Sequence, residues 1–267
     1  MSGIDQLVAF GENMPLDLLF VRDDDIPDLV EEDVCDLGLV GLNVVAEKSL
    51  ELAAKGHPTR FEIVRALEFG RCRLSIAVPE NFSYDGVRSL AGKRIATTYP
   101  YLLGKFLTDN GIDAEIVTLS GAVEIAPRLG RADAICDLVS TGSTLLANRL
   151  QEVEKVLESH AVLIRTPVAL PAGKREWVER LLMRIDGVQQ VRESKYIMLH
   201  APRSALPAIR KLLPGSESPT IIPLEGHPDR VAVHAVCREN VFWETLESLK
   251  AAGASALLVL PVEKMLA

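Results

Sequence analysis

The apolar positions of the chain fall into short runs separated by segments with helical periodicity. Seven runs predict strands: LDLLFV, DLGLVG, RCRLSIAVP, RIATTYP, AEIVTL, DAICDLV and HAVLIRTP. Five segments predict helices: IPDLVEEDV, YLLGKFLTDNG, AVEIAPRLG, TLLANRLQEV and KREWVERLLMRIDGVQQV. Continuous apolar strands that alternate with helices indicate parallel β-α-β units rather than a sandwich. The first two thirds of the chain are therefore predicted to be α/β.

From about residue 192 the pattern changes. KYIMLHA, PTIIPLE, RVAVHAV and ALLVLP predict strands, and SALPAIRKLL and NVFWETLESLKAAG predict helices. The order β-α-β-β-α-β is that of a ferredoxin-like domain. Domains of this shape often bind small molecules, although the fold alone does not establish a function.

Composition narrows the class of protein. A chain of 267 residues that is 48% hydrophobic and 25% charged is typical of a globular protein with two or three domains. The net charge of −8 argues against a general nucleic-acid surface, though a small anion can still be held by local N–H groups. No apolar stretch approaches the 18 residues of a membrane span.

Cysteine usage and the N-terminal sequence bear on the compartment. The four cysteines are far apart and form no CxxC pair, so we expect buried, reduced thiols: Cys35, Cys72, Cys136 and Cys237. The start, MSGIDQLVAFGENMP, lacks the basic residues and long apolar core of a signal peptide. We therefore expect a cytoplasmic protein.

The strongest local signal follows the predicted strand DAICDLV. Four hydroxyl residues surround one glycine there: Ser140, Thr141, Ser143 and Thr144 around Gly142. A strand that enters such a loop and then a helix directs unpaired N–H groups at one point, which suits a phosphate. A helix cap combined with a tight turn could also produce this composition.

Two acids on the same strand gain interest from this loop. Asp133 and Asp137 could orient ribose hydroxyls or a magnesium ion beside a bound phosphate. Either carboxylate could instead cap a neighbouring turn, and the pattern does not decide between the two roles.

Three further residues are candidates for contact with a nucleotide. Thr97 lies at a second strand-to-helix junction, TTYP, where capping of the helix is the simpler interpretation. Arg71 and Arg73 alternate around Cys72 and so share one face of a strand. They could reach a polyphosphate or pair with acids. The sequence contains no GxSxG, Walker A or GxGxxG motif and no His/Cys cluster with metal-ligand spacing.

Taken together, these segments resemble ATP phosphoribosyltransferase in its long, histidine-regulated form. The landmarks are ENMPLDLLFVRDDDIP, CDLGLVGLNV, CRLSIAVP, GKRIATTYP, VEIAPRLGRADAICDLVSTGSTL, ESKYIMLHAP, SPTIIPL and FWETLESLKAAGASALLVLPVEKM. The resemblance implies an α/β catalytic region of two lobes, similar to type II periplasmic binding proteins, followed by an ACT-like domain. It places lobe I in residues 1–74 and 153–190, lobe II in residues 75–152 and the regulatory domain in residues 191–267.

The resemblance also implies an activity. The family condenses ATP with phosphoribosyl pyrophosphate (PRPP) to phosphoribosyl-ATP and pyrophosphate, the first step of histidine biosynthesis. Magnesium would neutralise the pyrophosphate and be held largely through it, and no side chain is identified as a catalytic group. The residues that match the PRPP site are Glu124, Asp133, Asp137, Ser140, Thr141, Gly142, Ser143 and Thr144.

Regulation and assembly are implied in the same way. Histidine would bind between subunits at the C-terminal domain, with Ser218 and Thr220 at matching positions. AMP would compete at the active site, and the chains would assemble as dimers and hexamers. The alternatives are a catalytically impaired regulatory relative and a small-molecule-binding protein of the same fold.

The resemblance carries one expectation about the start of the chain. Long-form members have about thirty further residues there, with a first strand and a Gln-Lys-Ser-Gly-Arg-Leu-like loop that lines the cleft. We therefore expect lobe I to lack its first strand and the chain to be poorly soluble or weakly active without it.

Overall fold

The computed structural model describes residues 7–191, 194–213 and 218–263. The chain divides into two compact units, one that ends at Val168 and one that begins at Ala169. No helix in these ranges is long and apolar enough to cross a membrane. The four cysteines are free thiols, as predicted, but only Cys136 and Cys237 are buried, whereas Cys35 and Cys72 are partly exposed.

The first unit consists of short strands joined by helices and loops. Its elements are β1 (Val8–Ala9), β2 (Leu18–Leu19), α1 (Ile26–Glu31), β3 (Leu37–Gly41), α2 (Leu42–Ala54), β4 (Glu62–Ala66), β5 (Cys72–Pro79), β6 (Arg94–Thr97), α3 (Pro100–Asp109), β7 (Glu115–Thr118), β8 (Ala134–Val139), α4 (Ser143–Ala147), β9 (Leu150–Ser159) and β10 (Ala161–Arg165). Single 3-10 turns lie at Asp23–Asp25, Val87–Leu90 and Val123–Ile125.

Two sheets organise the first unit. The three-stranded sheet has the order β3-β10-β4 and is antiparallel throughout. The five-stranded sheet has the order β7-β6-β8-β5-β9, with β6 parallel to both β7 and β8. The chain passes from the three-stranded sheet into this one between β4 and β5, and β5 lies antiparallel to β8 and β9. The predicted parallel β-α-β arrangement is therefore confirmed for β6, β7 and β8 and is wrong for the other strands.

Each sheet has its own apolar core. In the five-stranded sheet, Leu74 and Ile76 of β5 and Ile95 of β6 are fully buried against Leu103 of α3. In the three-stranded sheet, Val162 and Ile164 of β10 and Val40 of β3 pack with Val30 of α1 and with Val44 and Val45 of α2. Helix α2 thus has one face fixed in the smaller core.

Several element predictions were wrong for identifiable reasons. AVEIAPRLG forms only the turn Val123–Ile125, since Pro127 has no N–H to donate to a longer helix. The helix in TLLANRLQEV ends at Ala147, because Arg149 adopts a left-handed φ of 55°, and β9 begins at Leu150. Only Leu18–Leu19 of LDLLFV form a strand. Helix α2 and strand β4 were not predicted at all.

The second unit has the predicted ferredoxin-like order. It contains α5 (Ala172–Val191), β11 (Ser194–Pro202), α6 (Leu206–Leu212), β12 (Thr220–Leu224), β13 (His227–Arg238), α7 (Glu239–Ala251) and β14 (Ser255–Pro261). The antiparallel sheet order β12-β13-β11-β14 confirms this prediction. The unit also includes α5, which the sequence analysis had assigned to lobe I.

Candidate active site

Three loops meet at one edge of the five-stranded sheet. Because β7, β6 and β8 are parallel, the segments that follow them emerge at the same edge. These segments are the turn from Thr97 into α3, the loop that leads to Glu124, and residues 140–144. This carboxyl edge is where an open α/β sheet holds its ligands.

The loop at residues 140–144 has the form that the sequence analysis predicted for an anion site. Gly142 has a left-handed φ of 81° and immediately precedes α4, and a Cβ added there would meet no atom within 4 Å. The hydroxyl residues around it are exposed, and the Thr141 and Ser143 oxygens lie 3.1 Å apart. The N–H groups of a first helical turn have no intrahelical acceptor. The loop therefore offers several donors to one open point.

Arg73, on strand β5, hydrogen-bonds to this loop. Its guanidinium donates to the Ser140 carbonyl at 3.2 Å and forms an ion pair with Glu152 of β9. Ser75 donates to the same carboxylate at 2.8 Å, and Arg73 holds the pKa of Glu152 below its usual value. The prediction of ATP contact is therefore not supported for Arg73, whose donors are used within the sheet. Arg71 lies just before β5 and is exposed.

Asp137 and Glu124 lie close enough to interact. Asp137 is partly buried near the end of β8, and its carboxylate accepts the Leu138 N–H at 2.8 Å. Burial raises the pKa of Asp137, and the charge of Glu124 raises it further. The structure thus places Asp137 beside the loop at residues 140–144 and within electrostatic range of Glu124, which also lines a cavity at the other edge of the sheet.

Asp133 lies at the opposite end of β8. It precedes the strand, which spans six residues and is therefore about 20 Å long, whereas residue 140 follows it. Its carboxylate binds the Arg94 guanidinium at 2.9 Å and accepts the Arg94 backbone N–H at 2.9 Å. The prediction that Asp133 joins the PRPP site is not supported, because strand direction separates it from the loop.

Thr97 is fully buried, and its hydroxyl accepts the Tyr99 N–H at 2.9 Å. This contact fits the simpler interpretation, in which the threonine shapes the start of α3. The prediction of ATP contact is not supported for this side chain, because it does not reach the surface.

The sequence analysis missed a group of residues beside this turn. The Tyr99 phenol accepts the Asn43 amide at 2.9 Å, and burial raises the pKa of that phenol. The charges of Asp23, Asp24 and Asp137 raise it further. No motif in the sequence marks Asn43 or Tyr99, and helix α2 was not predicted.

A cavity of about 1080 Å³ lies at the other edge of the sheet. It is lined by the starts of β6, β8 and β9, including Lys93, Arg94, Asp133 and Arg149, and by Glu124. The exposed hydroxyl loop at residues 140–144 does not border it. We therefore assign the site from the loop rather than from cavity size.

In the described part of the chain, no three His, Cys, Asp or Glu residues cluster in a way that could hold a metal ion. Mg²⁺ usually takes one or two carboxylates and completes its shell with water and substrate phosphates. Asp137 and Glu124 could supply such carboxylates, with the remaining ligands from pyrophosphate.

In the second unit, Ser218 and Thr220 are both exposed at the start of the edge strand β12. Thr220 lies opposite His234 of β13, whose ring nitrogen bonds the Tyr196 hydroxyl. The two predicted histidine-binding residues are thus two positions apart and accessible.

Comparison with known families decides the assignment. The family model described as ATP phosphoribosyltransferase (HisG) matches residues 22–187, and that of the HisG C-terminal domain matches residues 192–264. The chain belongs to the ATP phosphoribosyltransferase family. This confirms the predicted fold class, and it confirms the predicted enzyme class, a phosphoribosyltransferase of histidine biosynthesis.

Solved structures agree with this membership. The chain is similar to the ATP phosphoribosyl transferase (HisG:HisZ) complex from Thermotoga maritima, with 26% identity and a TM-score of 0.57 over 69% of this chain and 84% of that one. Sulfonate-binding proteins are more distant. SsuA from Xanthomonas axonopodis pv. citri bound to MOPS shows 19% identity and a TM-score of 0.44, covering 62% of this chain and 60% of that one. SsuA from Escherichia coli shows 15% identity and a TM-score of 0.45, covering 61% of this chain and 57% of that one. We draw no functional conclusion from these two.

The two aspartates of β8 should respond differently to substitution. We expect Asp133→Asn to lower the free energy of unfolding by about 1 kcal/mol, since it weakens the contacts with Arg94, and to leave PRPP affinity unchanged. Urea denaturation and calorimetric titration measure the two effects. A ten-fold loss of PRPP affinity would contradict the separation of Asp133 from the ligand.

The pH dependence of stability should also distinguish them. The pKa of Asp137 is raised from its ordinary value of 3.8, so its favourable contribution is present below that value and is lost as pH rises through the folded pKa. We therefore expect Asp137→Asn to raise the melting temperature at pH 7, with a smaller gain near pH 4.

Asp133→Asn serves as the control with the opposite sign. Arg94 lowers the pKa of Asp133, so its contribution is present above 3.8 and is lost as pH falls through the folded pKa. Its substitution should lower the melting temperature at pH 7 and have less effect at low pH. A lower melting temperature for Asp137→Asn at pH 7 would contradict a cost of ionising Asp137.

Proposed function

We propose that this chain condenses ATP with PRPP to phosphoribosyl-ATP and pyrophosphate, with residues 140–144 holding the 5-phosphate of PRPP. The observation that carries this assignment is the exposed hydroxyl loop at the carboxyl edge of the sheet, with Gly142 at φ 81°. A glycine in this conformation allows a phosphate to approach the backbone closely. The reaction is inferred from family membership, and the position of the PRPP phosphate is inferred from the loop.

Phosphate would be held there by directional donors rather than by net charge. The loop contributes hydroxyls and backbone N–H groups, and the partial positive charge of aligned peptide dipoles favours an anion. Arg73 donates to the Ser140 carbonyl, so this acceptor of the loop is already paired. The loop is therefore prepared for an anion before one binds.

Asp137 and Glu124 are the proposed contacts to the ribose. A carboxylate can accept two hydroxyl donors, and the ribose of PRPP offers a vicinal pair. Ionised Asp137 is unfavourably placed in the free protein, as its raised pKa indicates. Hydroxyl donors or a magnesium ion would relieve this cost, so part of the binding free energy comes from the site itself.

The chemistry asks the chain mainly to position two substrates. An adenine ring nitrogen displaces pyrophosphate at the anomeric carbon of PRPP, and magnesium, when bound, neutralises the leaving group. Holding the reactants in line converts a bimolecular step into an effectively unimolecular one. Of the three residues predicted to contact ATP, Arg71 remains a candidate because it is exposed at the start of β5.

Regulation belongs to the second unit in this proposal. Histidine would bind at Ser218 and Thr220, at the exposed start of β12, between subunits of a dimer or hexamer. AMP would compete with substrate at the carboxyl edge of the five-stranded sheet. A cytoplasmic location is part of the same proposal and is supported by the free thiols.

The loop assignment is tested by two substitutions. We expect Thr141→Ala and Gly142→Val each to weaken PRPP binding ten- to a hundred-fold. Thr141→Ala removes a hydrogen bond to a charged group, which contributes about 1.5–3 kcal/mol. Gly142→Val adds a branched side chain that obstructs the approach of the phosphate to the backbone. Isothermal titration of the folded variants with PRPP measures this, with Thr108→Ala, at an exposed position near the C-terminal end of α3, as a control. Wild-type affinity in both loop variants would refute the assignment.

The regulatory assignment is tested separately. Ser218→Ala combined with Thr220→Ala should abolish histidine binding, since it removes two exposed hydroxyls, and should leave PRPP affinity unchanged. Titration with histidine and with PRPP gives both values from one preparation. Normal histidine binding by the double variant would move the regulatory site elsewhere.

A further inference from the structure

Helix α2 carries a stripe that faces away from its own sheet. Asn43, Ala46, Glu47 and Leu50 are spaced i, i+3, i+4 and i+7, which places them on one face of the helix. Ala46 and Leu50 pack against the core of the five-stranded sheet. The opposite side of α2 is buried in the core of the three-stranded sheet through Val44, Val45 and Leu52. One helix therefore joins the two sheets.

Glu47 caps a helix that belongs to the other sheet. One carboxylate oxygen accepts the Tyr101 N–H and the other accepts the Leu102 N–H, both at 2.8 Å. These are the second and third residues of α3; the first, Pro100, has no N–H, and the residue before it makes no side-chain cap. The donors of the first turn of α3 are thus satisfied by a residue 54 positions away.

Asn43 makes a second link at the same face. Its amide donates to the Tyr99 hydroxyl at 2.9 Å, and its backbone N–H donates to the Ser159 hydroxyl at 3.0 Å. Ser159 in turn donates to the Asn43 side-chain oxygen at 2.7 Å. Asn43 and Ser159 are buried, so these contacts are shielded from water.

The linked segment borders the proposed PRPP site. Tyr99 follows Thr97, which lies opposite Cys136 in the parallel pairing, and Cys136 precedes Asp137. The charge of Asp137 influences the Tyr99 phenol directly. A displacement of residues 99–102 would therefore alter the edge at which PRPP is expected to bind.

The connection between the sheets leaves room for such a displacement. The chain crosses from the three-stranded to the five-stranded sheet between β4 and β5 and returns between β9 and β10. Leu67 and Phe69 pair there with Ala161, and Gly70 has a left-handed φ of 64°. Two adjacent strands of this kind can act as a hinge, because few residues absorb the rotation.

We propose that Glu47 and Asn43 are positioning residues that clasp α3 and fix the two sheets at the spacing required for catalysis. This inference rests on the proposed function for its kinetic consequence but not for the clasp itself. Burial raises the pKa of Glu47, so the ionised carboxylate is costly where it stands, and the two N–H donors offset part of that cost. An apolar residue at this position would avoid the cost but leave α3 uncapped.

The test compares two glutamates one turn apart on α2. Glu47→Ala removes the clasp, whereas Glu51→Ala removes an equal charge from the face that pairs with Lys48 and Lys55. We expect Glu47→Ala to lower kcat/KM for PRPP at least ten-fold, Glu47→Gln to fall between it and the wild type, and Glu51→Ala to stay within two-fold. Glutamine keeps one acceptor, which explains the intermediate value.

Hydrogen exchange separates the clasp from general stability. In Glu47→Ala the Tyr101 and Leu102 amides should exchange at least ten-fold faster, while the amides of β5 and β10 keep their protection. Faster exchange with unchanged kcat/KM would overturn the positioning role. If the wild type shows no turnover, the proposed function fails, and unchanged exchange at Tyr101 and Leu102 would still overturn the clasp independently.

Discussion

The parallel pairing of β6 with β8 is the constraint on which the site depends. Ile95, Ala96 and Thr97 lie opposite Ala134, Ile135 and Cys136, so both strands end at the same edge. That register places the turn into α3 beside Asp137 and the hydroxyl loop beside both. A shift of one residue would exchange the side chains that β8 presents to its two cores, Ala134 and Cys136 on one face and Ile135 and Val139 on the other. The core and the site are therefore fixed by the same hydrogen bonds.

Electrostatics mark the same edge. The carboxyl groups with raised pKa values in the described residues are Asp24, Glu47 and Asp137, and each lies near the segment around Tyr99 or contacts it. Other carboxylates, such as Asp133 and Glu152, have lowered pKa values because an arginine pairs with each. Acids whose ionisation is costly, when concentrated at one place, are a mark of a functional site.

Features that depend on residues close together in the sequence could be predicted. The strand DAICDLV, the loop after it and the order of the second unit were predicted because apolar runs, hydroxyls and a glycine act locally. The sequence could not tell Asp133 from Asp137, since strand direction decides which of them reaches the ligand edge. The sequence left the roles of Arg73 and Thr97 open, because the partners of Arg73 lie 67 and 79 positions away and Thr97 is buried by tertiary packing. The role of Glu47 could not be predicted from the sequence, because its carboxylate accepts N–H groups of α3, a helix that packs on the other sheet.

The central claim is that PRPP binds at the carboxyl edge of the five-stranded sheet. A crystal structure of the chain soaked with PRPP and magnesium tests it most directly. The account predicts the 5-phosphate within hydrogen-bonding distance of the N–H groups and hydroxyls of residues 141–144, with the ribose against Asp137. A phosphate found in the 1080 Å³ cavity beside Arg94 and Arg149, with an empty loop at residues 140–144, would contradict it.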